Sequence, residues 1–280
     1  MGGYPTWGEV FRYSNKEIGE PKPALYKCHD YDYPYTAYCE KIWSIIGKIM
    51  LDDCRVPNID IVGNEGKGRE GLLSYRLLRK QTEDLIDMHT LTYHKYSREQ
   101  LKAMQSHLYI EDLIECVRLE VGDNDNFERL KRDIIETIIL DSITNLADRH
   151  DENWGLIKSK EDKAYDIALY DHAISFVDMF TTDLGRSSEG WAQSYLKTVP
   201  QEKWTRQYLM GDMGNKLVGY ISERYPNEFN EFMRKFNDRI GLFYQFIDTP
   251  GCPADLKRIR SNIREKRRLI EDKYIKGEER

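Results

Sequence analysis

Asn145-Leu-Ala-Asp-Arg-His-Asp-Glu-Asn-Trp-Gly155, followed by Ile167-Ala-Leu-Tyr-Asp171, is the stretch on which the reading of this chain turns. The first segment sets the acids Asp148 and Asp151 and the amides Asn145 and Asn153 just past an apolar helical run. The second closes a β-like run on a further acid, Asp171. Asp148 and Asn153 lie five positions apart beyond a helix expected to stop near Ala147, where a short loop aims both side chains into one cleft from a rigid base. Residues 156–170 are long enough for a β-hairpin that returns Asp171 beside Asn153. Phosphoryl transfer uses this inventory: a carboxylate to orient a hydroxyl nucleophile, and an amide plus a second carboxylate to hold Mg²⁺ on the phosphates. Taken alone, Asp148, Asp151 and Asn153 are also what a polar turn after a helix favours. The upstream helix and the third acid give the pattern its specificity.

The rest of the sequence bounds that reading. With 280 residues, 40% of them apolar and 32% charged, the chain can bury the core of one large or two modest domains. Its net charge of −6 argues against wholesale nucleic-acid binding. The five cysteines are an odd number without a CxxC pair, which predicts reduced thiols rather than a zinc site or a disulfide framework. No run approaches the ~18 apolar residues of a membrane span, and the N-terminus lacks a signal-like segment. The expected partner is therefore no membrane, and the expected address is the cytoplasm.

Along the chain, residues 1–23 read as loop with one possible strand, and Ala24–Cys28 as a short strand. Apolar positions at Cys39, Ile42, Trp43, Ile46, Ile49 and Met50 predict an amphipathic helix over 35–51. Val56–Val62 and Leu72–Leu78 read as strands joined by the Gly-rich segment 63–71, a hairpin connection rather than a phosphate loop because it opens no helix. After about residue 80 the pattern turns helical, over 98–120, over 127–147 and again from 200 onward, with a buried strand at 164–170. The expected fold is α+β and bilobal: a small mixed N-lobe over 1–78 and a larger, mainly helical C-lobe over 79–280, like a protein kinase.

Asp141-Ser-Ile-Thr-Asn-Leu-Ala-Asp-Arg-His-Asp-Glu-Asn-Trp-Gly155 with Leu169-Tyr-Asp171 resembles the catalytic and metal-binding loops of HipA-like serine/threonine kinases. The likeness is to their compact, CtkA-like branch, and the family is distantly similar to phosphatidylinositol kinases. It runs from about residue 20 to 245, with its specific motifs confined to 141–171. The resemblance implies a Mg²⁺- and ATP-dependent kinase acting on Ser or Thr of a protein substrate. It makes Asp148 the catalytic base, Asn153 and Asp171 the metal ligands, and His150 and Asn145 supports of the loop; His150 is equally a structural histidine. The residues after Asp171 are His-Ala, where most protein kinases have Phe-Gly.

ATP also needs a cation on its phosphates and a slot for adenine. Lys27, in a strand before the first helix, is the candidate cation. Glu40 in that helix is its candidate partner, with Asp30 and Asp32 as alternatives. The phosphate loop would span Ser14–Lys22; it has no GxGxxG, and the family's divergent loop implies Gly19 and Lys22 facing the phosphates. In relatives a Ser of this loop is autophosphorylated, and Ser14 occupies that loop here; a phosphate on it would repel ATP. Ser74, Tyr75 and Arg76 are the expected hinge beside adenine, since Thr82–Asp87 resembles the family's post-hinge segment. HipA carries an N-terminal subdomain without a counterpart here, so a separate regulatory protein partner is a further expectation. Lipid or small-molecule phosphorylation, and a non-catalytic nucleotide-binding module of a toxin–antitoxin pair, are the competing readings. Residues 256–280 carry ten Lys or Arg against five acids, with Leu256, Ile259, Ile263 and Ile270 at near-helical spacing; a solvated helix packed on the large lobe is expected.

Overall fold

The structure is a computed structural model, and it describes residues 10–13, 22–28, 36–62, 71–97, 99–100, 110–144, 146, 149, 152–173, 175–176, 212–247 and 256–275. In chain order the elements are β1 (Val10–Tyr13), β2 (Lys22–Cys28), α1 (Thr36–Met50), β3 (Ile59–Val62), β4 (Gly71–Tyr75), β5 (Glu83–Asp87), α2 (Met88–Lys95), α3 (Ile110–Val121) and α4 (Asp125–Ile143). There follow β6 (Trp154–Ser159), β7 (Tyr165–Leu169), α5 (Asp212–Arg224), α6 (Pro226–Ile247) and α7 (Leu256–Ile270), the last running into a π-helical turn, Glu271–Ile275.

The strands form two antiparallel sheets. The first has the order β1-β2-β4-β3 and the second β5-β6-β7. The first sheet and α1 make the small lobe; the helices from α2 onward, with the second sheet, make the larger, helix-rich one. Helix α1 joins the two. Ala37 packs with Ile59 and Leu72 of the first sheet, while Trp43, Ile46 and Met50 belong to the main core with α4 and α6. Its apolar stripe is thus wide enough to face two layers, as the spacing of Cys39 to Met50 requires.

The 19-residue α4 is the spine of the large lobe. The side chain of its N-cap, Asn124, accepts from the amide of Phe127 at 3.0 Å, satisfying one of the donors a helix start leaves open. Leu130, Ile134, Ile135, Ile139, Leu140 and Ile143 are all buried along it. The helix ends at Ile143 rather than near Ala147. Thr144 stops it, its amide reaching the Leu140 carbonyl at 2.9 Å and its Oγ1 donating to the same oxygen. The expected helix over 98–120 is described at 99–100 and from Ile110 onward, residues 98 and 101–109 lying outside the described set.

Strand β5 has no counterpart in the sequence reading, which turned to helix after residue 80. Its opening residue, Glu83, is a buried carboxylate, contrary to the usual strand pattern. It is satisfied by the amides of Arg79 at 2.5 Å and Lys80 at 3.2 Å and by Arg55 Nη2 at 3.3 Å. Strand β6 lies across it with Gly155 opposite Asp87. A Cβ on Gly155 would stand 2.2 Å from the Ile86 carbonyl oxygen and 2.8 Å from Asp87 Cα, both backbone atoms that cannot swing aside. Gly155→Ala is therefore expected to cost about 1–3 kcal/mol of stability by overpacking, read from urea unfolding; an unchanged midpoint would contradict this close approach. Helix α7 packs as expected, with Ile259, Ile263 and Ile270 buried, and Lys266 Nζ donates to the Ser142 carbonyl at 3.0 Å. Among the described residues no helix is long and apolar enough to cross a membrane.

Candidate active site

Three parts of the fold meet at the Lys27 side chain. Strand β2 carries Lys27, which lies opposite Leu72 of β4. Helix α1 carries Glu40 in its second turn, 1% exposed. The β6–β7 hairpin carries Asn153 and Asp171 at its base, on either side of the Trp154–Leu169 pair that closes the ladder. Lys27 Nζ lies 3.2 Å from Glu40 Oε1 and 3.1 Å from Asp171 Oδ1, so one ammonium is shared by two carboxylates from different layers.

The hairpin does what its length allowed. The amide of Tyr170 donates to the Asn153 carbonyl at 3.2 Å, bringing the residues before β6 and after β7 side by side. Asp171 then turns with φ +57°, a left-handed conformation that Asp tolerates better than most side chains. That turn, two residues past the end of β7, leaves the Asp171 carboxylate facing Lys27.

Burial sets the electrostatics. It pushes the Glu40 carboxyl up from its ordinary 4.5 to about 7; Lys27 pulls it down, and Asp171 adds to the rise. Burial works to lower the Lys27 ammonium, but Glu40 and Asp171 hold it above its ordinary value. One cation facing two carboxylates leaves the more deeply buried acid undercompensated. A group whose pKa is higher in the folded than in the unfolded chain contributes stability below its unfolded value and loses it as pH rises through the folded one. Glu40→Gln is therefore expected to melt above wild type at pH 8 and level with it near pH 5 in scanning calorimetry. A wild type that melts above the variant at pH 8 would contradict the assignment.

Beneath this triad lies a buried polar cluster to which the sequence reading gave no role. Arg149, 6% exposed, forms a two-pronged ion pair with Asp141 of α4, Nε to Oδ2 at 2.8 Å and Nη2 to Oδ1 at 3.1 Å. Its Nη1 donates to the carbonyls of Asn153 at 3.0 Å and Tyr170 at 3.3 Å, and Nη2 meets His172 Nδ1 at 3.1 Å. The His172 ring stacks on Trp43 of α1 with centroids 3.6 Å apart, and Trp43 Nε1 donates to Thr144 Oγ1 at 3.2 Å. Burial, and then the charge of Arg149, keep the His172 imidazole neutral, well below its ordinary pKa. An Asp in register with the apolar stripe of α4 was the one signal in the sequence for this cluster, because an inward-facing acid needs a cation.

The residues singled out from the sequence thus divide. Lys27, Glu40 and Asp171 meet through their side chains, and Asn153 is joined through its backbone carbonyl to Tyr170, the residue before Asp171. Lys22 lies in β2 opposite Tyr13, and its side chain is outside the described set. Asp148, His150, Gly19, Ser14, Asn145, Asp30 and Asp32 also lie outside the described residues. Ser74 and Tyr75 sit within β4, Ser74 between Leu25 and Ile59. The Tyr75 amide is already given to the Asn58 carbonyl at 2.9 Å, and its hydroxyl meets Asp60 at 2.8 Å. Arg76 is the first residue beyond the strand.

No protein-family model matches the chain, and no curated protein does. Solved structures do. The proinflammatory kinase CtkA of Helicobacter pylori aligns over 96% of this chain and 98% of its own, with 13% identity and a TM-score of 0.60. HipA, in the complex of the Shewanella oneidensis MR-1 toxin–antitoxin proteins HipA and HipB with operator DNA, aligns over 90% of this chain with 14% identity and a TM-score of 0.50. The match spans 58% of the HipA chain. At these identities the likeness is one of fold, and the fold is the bilobal one of HipA- and CtkA-type kinases.

Proposed function

We propose that this chain is a Mg²⁺- and ATP-dependent serine/threonine protein kinase. The observation that carries the reading is Lys27 held between Glu40 and Asp171, 3.2 Å and 3.1 Å away, with Asn153 across the hairpin base. The donor set fits the ligands: two carboxylates around one ammonium leave negative charge over for a divalent cation, and an amide beside a carboxylate offers it the oxygen ligands Mg²⁺ prefers. When bound, Mg²⁺ neutralises the charge that develops on the transferring phosphoryl group.

The chain's own residues have separate tasks in this reading. Asn153 and Asp171 hold the metal. Lys27, kept protonated by its carboxylates, offers its charge to the phosphates, and Glu40 fixes the lysine's direction. Asp148 accepts the proton of the acceptor hydroxyl, and His150 supports its loop. Gly19 from the β1–β2 connection and Lys22 from the start of β2 line the phosphates, and Ser14 is the candidate for self-modification. Adenine stacks at the hinge of Ser74, Tyr75 and Arg76. With the Tyr75 amide engaged by Asn58, the backbone donor to adenine in this reading is Arg76. The N-lobe ends at residue 78 in this scheme. A cytoplasmic address and a separate regulatory protein belong to the same reading.

Purified protein incubated with γ-labelled ATP and Mg²⁺ tests it. Label on Ser or Thr of itself or of an added protein is the expected result. Label passing only to lipid or small-molecule acceptors, or to none, would overturn the assignment.

A further inference from the structure

Arg149 uses all its hydrogen-bonding capacity at one junction. A guanidinium has five N–H donors in a rigid plane. Here Nε and Nη2 bind Asp141, Nη1 binds the carbonyls of Asn153 and Tyr170, and Nη2 also meets His172 Nδ1. Arginine only donates, so His172 Nδ1 accepts, in keeping with a neutral imidazole. The two carbonyls belong to Asn153 itself and to the residue before Asp171. Both segments proposed to hold the metal are therefore tied to one side chain, which is anchored on α4 through Asp141.

The same side chain reaches the helix that carries Glu40. The Arg149 guanidinium carbon lies 5.1 Å over the Trp43 ring, and His172, its hydrogen-bond partner, stacks on the same tryptophan. Trp43 lies three residues after Glu40, on the next turn of α1. Two further bonds sew the layers together: Trp43 Nε1 to Thr144 Oγ1 at 3.2 Å, and Ser175 Oγ to the Cys39 carbonyl at 3.1 Å.

We infer that Arg149 is a positioning residue that fixes the Asn153–Asp171 pair and the Glu40-bearing helix in a single geometry. It touches neither phosphate nor metal and acts through the backbone of one pair and the Trp43–His172 stack of the other. A buried ion pair such as Arg149–Asp141 is a poor stabiliser compared with apolar packing of the same volume, and its return here is orientation. Lysine cannot reproduce the arrangement, because three donors radiating from one atom cannot reach acceptors spread around a plane.

The inference builds on the proposed kinase reading but is tested apart from it, by hydrogen exchange on the ligand-free chain. In Arg149→Lys, peptides covering 152–156, 168–173 and 38–46 are expected to exchange together at least about tenfold faster, while 229–244 of α6 stays at the wild-type rate. Trp43→Phe keeps a ring against His172 but loses the bond to Thr144. It is expected to loosen 152–156 and 168–173 although it contacts neither Asn153 nor Asp171, and it serves if the lysine variant does not fold. Where wild type binds ATP in a Mg²⁺-dependent way, Arg149→Lys is further expected to raise the Mg²⁺ concentration for half-saturation about tenfold, with Mg²⁺-free nucleotide affinity within about twofold. Acceleration confined to one of the three segments, or shared equally by α6, would overturn the inference. A wild type without Mg²⁺-dependent ATP binding would instead refute the kinase reading, and the exchange pattern alone would then decide the role of Arg149.

Discussion

Asp148→Ala is expected to lower phosphoryl transfer by about 10²–10⁴-fold, the range that loss of a positioned proton acceptor brings, while leaving ATP affinity within about twofold. The split follows from the division of tasks in the site. In the proposed function, binding of the nucleotide rests on Lys27, Glu40, Asn153 and Asp171, which come from β2, α1 and the base of the β6–β7 hairpin. Asp148 is proposed to meet only the acceptor hydroxyl. Its neighbour in sequence, Arg149, is locked by five hydrogen bonds, and Thr144 at the end of α4 receives the amide of Phe176 at 2.8 Å. Single-turnover transfer of labelled phosphate, set beside calorimetric ATP binding, reads both quantities. Transfer at the wild-type rate would remove Asp148 from the chemistry. Loss of ATP binding together with transfer would make it a binding residue.

Asp171→Ala is expected to have an effect of the opposite kind, removing transfer and Mg²⁺-dependent nucleotide binding together. Asp171 is the charged member of the proposed metal pair, and Asn153 offers only a neutral oxygen. The substitution also frees Lys27 from one of its two carboxylates, leaving the 3.2 Å contact with Glu40 as its anchor. Metal-free ATP binding should therefore survive or improve, because Lys27 no longer has Asp171 competing with the phosphates. Titrating ATP with and without Mg²⁺ against both forms separates the cases. An Asp171→Ala protein that keeps the wild-type gain in affinity on adding Mg²⁺ would show that the ion is held elsewhere.

Much of the proposed site could be seen in the sequence because its chemistry is local. Asn153 and Asp171 flank a hairpin whose length predicts that its ends meet, and the Tyr170–Asn153 bond closes it as expected. Lys27 and Glu40 stood out as a strand cation and an acid beside an apolar helical stripe. Glu40 was named with Asp30 and Asp32 as alternatives, which lie outside the described residues; its contact with Lys27 depends on the rotation of α1 against β2, which no local pattern contains. The large-lobe core was legible for the same reason as α4: its apolar residues recur at helical spacing over five turns.

What was hidden depends on contacts distant in sequence. Strand β5 begins with a buried Glu83 whose partners are the amides of Arg79 and Lys80 and the side chain of Arg55, so its composition contradicts strand propensity. The end of α4 was misjudged because the residues beyond Ile143 remain compatible with helix. Thr144 closes it through hydroxyl bonds to Leu140 and Asp141 and through Trp43, 101 residues away. Arg149 received no reading of its own, since its five acceptor atoms, on Asp141, Asn153, Tyr170 and His172, come together only when α4 and the hairpin pack.

The most direct test is the position of the metal ion. Crystals of the chain grown with Mn²⁺ and a non-hydrolysable ATP analogue should show an anomalous peak within about 2.0–2.6 Å of the side-chain oxygens of Asn153 and Asp171, the distance range of oxygen ligands to such ions, with Lys27 Nζ turned to the phosphates. A peak bound elsewhere on the protein, or nucleotide seated away from Lys27, would contradict a shared Mg²⁺–ATP site built from these four residues.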